Sequence, residues 1–309
     1  MRIVFFGTPE FAVASLDRLV KEGHDIAAVV TMPDKIAGRG HKLIQSDVKK
    51  YAVEKGLKVL QPEKLRDPEF IAELKSLDAE LFVVIAFRMM PEVVWGMPPK
   101  GTFNLHGSLL PKYRGAAPIN RAIMNGETET GVTTFFLTHE IDTGDIIDSR
   151  KIEIAGDEDA GSVHDRLMEI GAELVGEDVK AVENGTVKPK PQPEGEFIPA
   201  PKIFKEDCRI DWKHPAKRVH DQVRGLSPYP AAFSTMVEGQ GRRMDAKIFK
   251  TALTDSNSLK PGEIKTEGRR MFAGTADLDI EILELQPAGK KRMTASDFLL
   301  GYHPQEFLL

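Results

Sequence analysis

The opening stretch, Met1 to Val30, limits the fold more than any other part of the chain. Ile3 to Phe6 is an uninterrupted apolar run, Gly7-Thr8-Pro9 is a turn, and Glu10 to Lys21 is a helical repeat whose apolar Phe11, Leu16, Leu19 and Val20 share one face. Gly23 stops that helix, and a second apolar run follows from Ile26 to Val30. A buried strand, a short turn, an amphipathic helix and another buried strand make a βαβ unit with parallel strands. The chain therefore begins a doubly wound α/β domain. A dinucleotide fingerprint would need Gly-x-Gly-x-x-Gly after the first strand. Only Gly7 stands there, which disfavours NAD and a nucleotide-dependent oxidoreductase while leaving the fold class intact.

The pattern continues with helices over Ser46 to Lys55 and Pro68 to Ser76, the second opened by Asp67 as its cap and Pro68 at its first position. Short or central strands are expected over Lys58 to Leu60 and Ala79 to Ala86, and Phe87-Arg88-Met89-Met90-Pro91 follows at a strand's C-terminal end. Strands over Gly131 to Leu137 and Ile146 to Ile154 then precede a long amphipathic helix, Ser162 to Glu183. Lys188 to Pro201 is Pro-rich and aperiodic, as in an extended linker. Beyond it, short alternating runs at Ala232 to Val237, Arg243 to Thr251, Gly262 to Thr266 and Leu278 to Leu285 indicate a small β-rich domain, an OB-like barrel, with one helix over His214 to Val223. The expected division is 1–188 for the α/β domain, 189–205 for the linker and 206–309 for the barrel.

The chemistry concentrates in Gly101-Thr-Phe-Asn-Leu-His-Gly-Ser-Leu-Leu-Pro111, which begins as a strand and ends as a loop. Strand alternation puts Asn104 and His106 on one side, with Phe103 and Leu105 on the other. An amide that donates and an imidazole that donates or accepts suit a developing oxyanion and the handling of a proton. Leu137-Thr-His-Glu-Ile-Asp-Thr-Gly-Asp145 supplies two carboxylates, Asp142 and Asp145, either of which could orient or charge His106. The Gly107 to Pro111 turn would offer backbone groups to a ligand.

Met32 to Lys42 is rich in Gly and positive charge and lacks helical or strand period, so it is expected as a mobile loop at a strand's C-terminal end. Its Lys35, Arg39 and Lys42 could meet phosphate. The formal charge of −5 argues mildly against nucleic acid, although basic clusters occur at Arg242-Arg243, Arg269-Arg270 and Lys290-Lys291-Arg292. A single cysteine, Cys208, excludes an intrachain disulfide and a Cys-cluster metal site, and no window reaches the length of a membrane span. The reading is a cytoplasmic protein.

Taken together, Phe6-Gly-Thr-Pro-Glu-Phe-Ala12, Pro33-Asp34 with Ala37-Gly-Arg-Gly40, Asn104 to Pro118 and Asp142-Thr-Gly-Asp145 resemble the methionyl-tRNA formyltransferase family of folate-dependent formyltransferases. Ile210-Asp-Trp212, Pro228-Tyr-Pro230 and Leu285-Gln-Pro-Ala-Gly-Lys-Lys-Arg-Met293 are similar to it too, so the resemblance covers nearly the whole chain. It implies a formyltransferase domain of Rossmann-like type, 10-formyltetrahydrofolate as donor, and the α-amino group of methionine on initiator Met-tRNA as acceptor. It implies Asn104 and His106 as the oxyanion holders and Asp142 as the partner of His106, with no metal. Ser108, Leu109, Leu110 and Pro111 correspond to the folate-contacting segment, and Ile85 and Phe87 to the pterin border. Lys35, Arg39, His41 and Lys42 fall on the loop that enters the acceptor stem, His41 standing where a Lys is common. Phe87-Arg88 departs from the aromatic-Gly pair common at the pterin loop. A monomer that does not touch the membrane is expected. The alternatives are formylation of a nucleotide-sugar amine by the same chemistry, or an RNA-binding or structural module that has lost catalysis.

Overall fold

The computed structural model describes residues 1–37, 42–194 and 197–309. In chain order the first half contains β1 (Arg2–Gly7), α1 (Glu10–Lys21), β2 (Asp25–Val30), β3 (Lys35–Ala37), β4 (Lys42–Ile44), α2 (Asp47–Glu54), β5 (Val59–Leu60), α3 (Pro68–Ser76), β6 (Leu81–Ile85), α4 (Glu92–Trp95) and β7 (Thr102–His106). There follow β8 (Arg114–Gly115), α5 (Pro118–Met124), β9 (Glu129–Phe136), β10 (Ile146–Glu153), α6 (Ala160–Glu183) and β11 (Pro199–Ala200). The rest holds α7 (Ala216–Leu226), β12 (Ala232–Glu238), β13 (Arg243–Leu253), β14 (Ile264–Glu267), β15 (Arg270–Gly274), β16 (Asp279–Pro287), β17 (Met293–Thr294), α8 (Ala295–Phe298) and β18 (Pro304–Phe307).

Helix boundaries follow local chemistry. Ser46 caps α2 by accepting the Lys49 amide at 3.0 Å, and Asp67 caps α3 by accepting the Glu69 amide at 2.9 Å, with Pro68 at the first position. The seven-stranded sheet runs β10-β9-β7-β6-β1-β2-β5, with β1 parallel to both β2 and β6, and β7 parallel to β6 but antiparallel to β9. The strand order turns outward in both directions from β1, so the C-terminal ends of β1, β6 and β7 converge where open α/β sheets form their crevice. Every side chain of β1 from Ile3 to Phe6 is buried, which a sheet covered on both faces requires. Val4, Phe6, Ala28, Val30, Phe82 and Val84 pack on one face with Phe70 and Leu74 of α3.

Gly7 lets the β1–α1 turn close. A Cβ there would stand 2.7 Å from Ala12 Cβ and 3.3 Å from the Ile85 carbonyl oxygen, too near for any side chain.

The structure resolves into two compact units. The first comprises Met1–Gly115, Gly131–Ile152 and His164–Pro199; the second comprises Ala116–Thr130, Glu153–Val163 and Ala200–Leu309. In the second, an antiparallel sheet runs β14-β15-β16-β13-β12-β18, and its two ends meet through a bridge between Glu263 and Glu306, making a nearly closed barrel. Its core holds Trp212, stacked on Phe307 at 4.4 Å between ring centroids, with its indole N–H donated to Ser234 Oγ at 3.0 Å. α5 lies against α7 so closely that a Cβ on Gly225 would reach Met124 Cγ at 2.6 Å, and Asn120 Nδ2 donates to the Gly225 carbonyl at 2.8 Å. The segments 116–130 and 153–163 thus pack with residues much later in sequence.

Candidate active site

β7 delivers His106 to the C-terminal edge of the sheet, where it is 7% exposed. Its Nε2 lies 2.8 Å from the Tyr113 carbonyl oxygen; a carbonyl only accepts, so Nε2 carries a proton and donates. The other edge, Nδ1, stands 3.9 Å from Asp142 Oδ2. Phe135 of β9 meets the imidazole edge to face at 6.5 Å between centroids. Asn104, half-buried, precedes His106 by one full alternation of the same strand.

Asp142 sits in the turn between β9 and β10 with a left-handed φ of 55°. Its Oδ2 also accepts the Gly115 amide at 2.9 Å. The turn folds back on β9 because residue 144 is glycine: a Cβ there would lie 1.7 Å from the Phe136 carbonyl oxygen. Asp145, by contrast, is exposed, and it is its carbonyl that engages Phe136, accepting that amide at 3.0 Å. Of the two carboxylates, Asp142 is the one brought to His106.

The Ser108 to Pro111 loop is braced from below. Ser108 is fully buried and its hydroxyl donates to the Lys112 carbonyl at 2.7 Å. Thr133 of β9 donates its hydroxyl to the Ser108 carbonyl at 2.7 Å and accepts the Leu110 amide at 3.2 Å, so those backbone groups are already engaged by β9. Leu110 is buried, Leu109 and Pro111 are half-buried, and the Leu110–Pro111 peptide is cis. Thr133 was invisible to sequence reasoning; only its register opposite His106 places it here.

At the end of β6, Ile85 is fully buried between Gly7 and Leu105, and Ala86 turns the chain with a φ of 47°. Phe87 is half-buried, its ring edge-on to Phe6 at 5.6 Å. Arg88, next in the chain, folds back rather than outward. Its guanidinium donates to the Glu63 carbonyl at 2.8 Å and to that of Pro62, and burial draws its pKa down. His139, in the β9–β10 loop, faces α4, with Nε2 3.4 Å from Glu92 and its ring against Trp95 at 5.4 Å between centroids.

The basic stretch expected to be aperiodic forms a hairpin stem: β3 pairs antiparallel with β4, Lys35 opposite Ile44 and Ala37 opposite Lys42. Lys35 is exposed, and Arg39 and His41 lie outside the described residues. The stem is rooted by Asp34, which accepts from Lys49 Nζ at 2.5 Å and Gln61 Nε2 at 2.8 Å; these bonds hold its carboxyl below the usual range. Among the described residues no three His, Cys, Asp or Glu side chains gather as metal ligands, and no helix is long and apolar enough to cross a membrane.

An amide and an imidazole side by side, with a carboxylate facing the imidazole at a sheet crevice, can hold an oxyanion and accept a proton from a nucleophile. Comparison with known proteins gives the family. The formyl transferase model matches residues 1–179, and the formyl transferase C-terminal domain model matches residues 202–303. The chain is 54% identical to a methionyl-tRNA formyltransferase of Bacteroides fragilis, covering 99% of this chain and 96% of the relative. It is 52% identical to another of Bacteroides thetaiotaomicron, over 98% and 96% respectively. Among solved structures, an N-formyltransferase of Helicobacter canadensis in complex with folinic acid and dTDP-3-aminofucose superposes with a TM-score of 0.65 at 21% identity, over 91% of this chain and 98% of that one. The chain belongs to the formyl transferase family, in the branch of the methionyl-tRNA formyltransferases.

Proposed function

We propose that this enzyme moves the formyl group of 10-formyltetrahydrofolate to the α-amino group of methionine on initiator Met-tRNA, as a cytoplasmic monomer. The observation that carries the reading is the approach of the Asp142 carboxylate to within 3.9 Å of His106 Nδ1, while Nε2 is held by the Tyr113 carbonyl. With Nε2 engaged, Nδ1 is the edge left for chemistry. The methionine nitrogen attacks the formyl carbon. Asn104 donates its side-chain amide to the oxygen as it gains charge, and an Nδ1–H of His106 does the same. Asp142 takes the proton that the amine loses, through water; the oxyanion then collapses, the bond from the formyl carbon to folate N10 breaks, and that same proton passes to N10 as it leaves, so charge balances across the step. Leu109, Leu110 and Pro111, over the Ser108 brace, and the Ile85–Phe87 corner border the donor.

For the acceptor, the basic stretch from Lys35 to Lys42, with Lys35, Arg39, His41 and Lys42, enters the acceptor arm and neutralises phosphate. Residues 1–188 act as the catalytic domain, 189–205 as the linker, and 206–309 as the part that lies along the tRNA. Support comes from the shared name of the close relatives over nearly the full chain. The test is transfer of labelled formyl from 10-formyltetrahydrofolate to initiator Met-tRNA, with elongator Met-tRNA and a nucleotide amino sugar as competing acceptors. Label on initiator Met-tRNA alone is expected. Label on the sugar, or on no acceptor, overturns the assignment.

A further inference from the structure

The Pro-rich stretch after α6 reads as a spacer, yet Lys190, Gln192 and Ile198 are each bonded to residues around the site. Lys190 pairs with Ile146 through both backbone groups, at 2.8 and 2.9 Å. The Tyr113 amide donates to the Ile198 carbonyl at 2.6 Å, and Tyr113 is the residue whose own carbonyl holds His106. Between these points, Gln192 turns its side chain to the Asp142 turn. Its Nε2 donates to the Asp142 carbonyl at 2.7 Å and to the Gly144 carbonyl at 3.0 Å, while its Oε1 accepts Arg114 Nε at 3.1 Å.

The partners fix which end of the amide is which, because two carbonyls need a donor and a guanidinium needs an acceptor. Among the described residues, neither the Asp142 nor the Gly144 carbonyl has a backbone partner. The turn they belong to is locally unfavourable, since Asp142 is a non-glycine residue at a φ of 55°. A turn of that kind holds its shape only where its surroundings fix it. Gln192 fixes it from one side and the Gly115 amide from the other, at Asp142 Oδ2.

We propose that Gln192 is a positioning residue for formyl transfer: it sets the 142–144 turn so that the Asp142 carboxylate is aimed at His106, and it makes the linker part of the active site. The inference rests on the catalytic reading given above. Both ends of the Gln192 amide are taken up by these protein partners, so it acts through the turn. Its two donors are the working feature, so Gln192→Glu is the diagnostic change. The glutamate keeps the size and the Arg114 partner but presents oxygen to both carbonyls.

The test compares Gln192→Ala and Gln192→Glu with the unaltered enzyme in kcat, in KM for both substrates, in melting temperature, and in amide hydrogen exchange of the 138–145 peptide. Misplacing a reacting group by about 1 Å can lower rate ~100-fold. A fall in kcat of about tenfold or more is therefore expected in both variants, with KM and melting temperature near those of the parent and faster exchange confined to the 138–145 peptide. Unchanged kcat and exchange in Gln192→Glu overturns the proposal. So does a loss of kcat that only follows a fall in melting temperature, since that marks a merely structural residue. If the unaltered enzyme transfers no formyl group, the catalytic reading has failed separately, and the exchange experiment still decides whether Gln192 holds the turn.

Discussion

His106 Nε2 lies 2.8 Å from the carbonyl oxygen of Tyr113, a residue with a left-handed φ of 61° in the loop that follows β7. The imidazole is thus oriented by its own strand's exit loop, and the same bond selects the ring edge that faces Asp142. Catalytic orientation and loop conformation are one feature here.

Removing either donor is expected to lower turnover without unfolding the protein. His106→Ala should reduce kcat about 10²- to 10⁴-fold, the range for a positioned acid or base. Asn104→Ala should reduce it by about 10²- to 10³-fold, as for loss of one oxyanion donor. Steady-state kinetics at saturating donor and acceptor, beside circular dichroism of each variant, checks both.

Gly144→Ala places a methyl group where the Phe136 carbonyl oxygen lies 1.7 Å from the Cβ position. The turn must move away from β9 and carry Asp142 with it. A stability loss of about 1–3 kcal/mol is expected, with a fall in kcat beyond what the lost stability explains. Denaturant titration and kinetics on the same sample separate the two.

Asp178 of α6 is 4% exposed and accepts the Thr134 hydroxyl. Burial raises its pKa to about 6, against the Thr134 bond, which lowers it. The folded protein therefore binds this proton more tightly than the unfolded chain, and the stability it contributes below pH ~4 is lost as pH rises toward about 6. Asp178→Asn keeps the acceptor for Thr134 and removes the buried charge. It should be more stable than the parent above pH ~7, on the order of 1–3 kcal/mol, and equal to it at pH ~4. Chemical denaturation across that range would show a difference that does not change with pH if the carboxyl were ordinary.

His220 of α7 shows the opposite sign. Its Nε2 donates to the Gly156 carbonyl at 3.1 Å, its Nδ1 lies 2.9 Å from the Thr251 hydroxyl, and burial lowers its pKa, which favours the neutral ring. Protons then bind the unfolded chain preferentially, and stability declines as pH falls below about 6.5, at a slope of up to ~1.4 kcal/mol per pH unit. His220→Gln should flatten that slope in urea titrations between pH ~5 and ~7.

Local signals were enough for much of the first unit. The α1 boundaries follow from apolar spacing and Gly23, α3 from Asp67 and Pro68, and the strand holding Asn104 and His106 from its alternation. Short pairings were harder to read. β15 (Arg270–Gly274) is a short strand in a local hairpin with β14, β18 (Pro304–Phe307) exists because distant β12 pairs with it, and the β3–β4 stem carries no periodic signal of its own. Thr133 and Gln192 likewise act through partners far along the chain.

By itself the sequence determined the parallel α/β start, the β-rich second part, and the set of residue types available for chemistry, because propensity, period and caps are properties of neighbouring residues. Tertiary structure decided which carboxylate meets His106, how the ring edge is chosen, that 116–130 and 153–163 pack with the C-terminal residues, and that a proline-rich spacer carries a side chain into the Asp142 turn. Each of those depends on chain segments meeting across a fold, and sequence spacing carries no record of the distance between them.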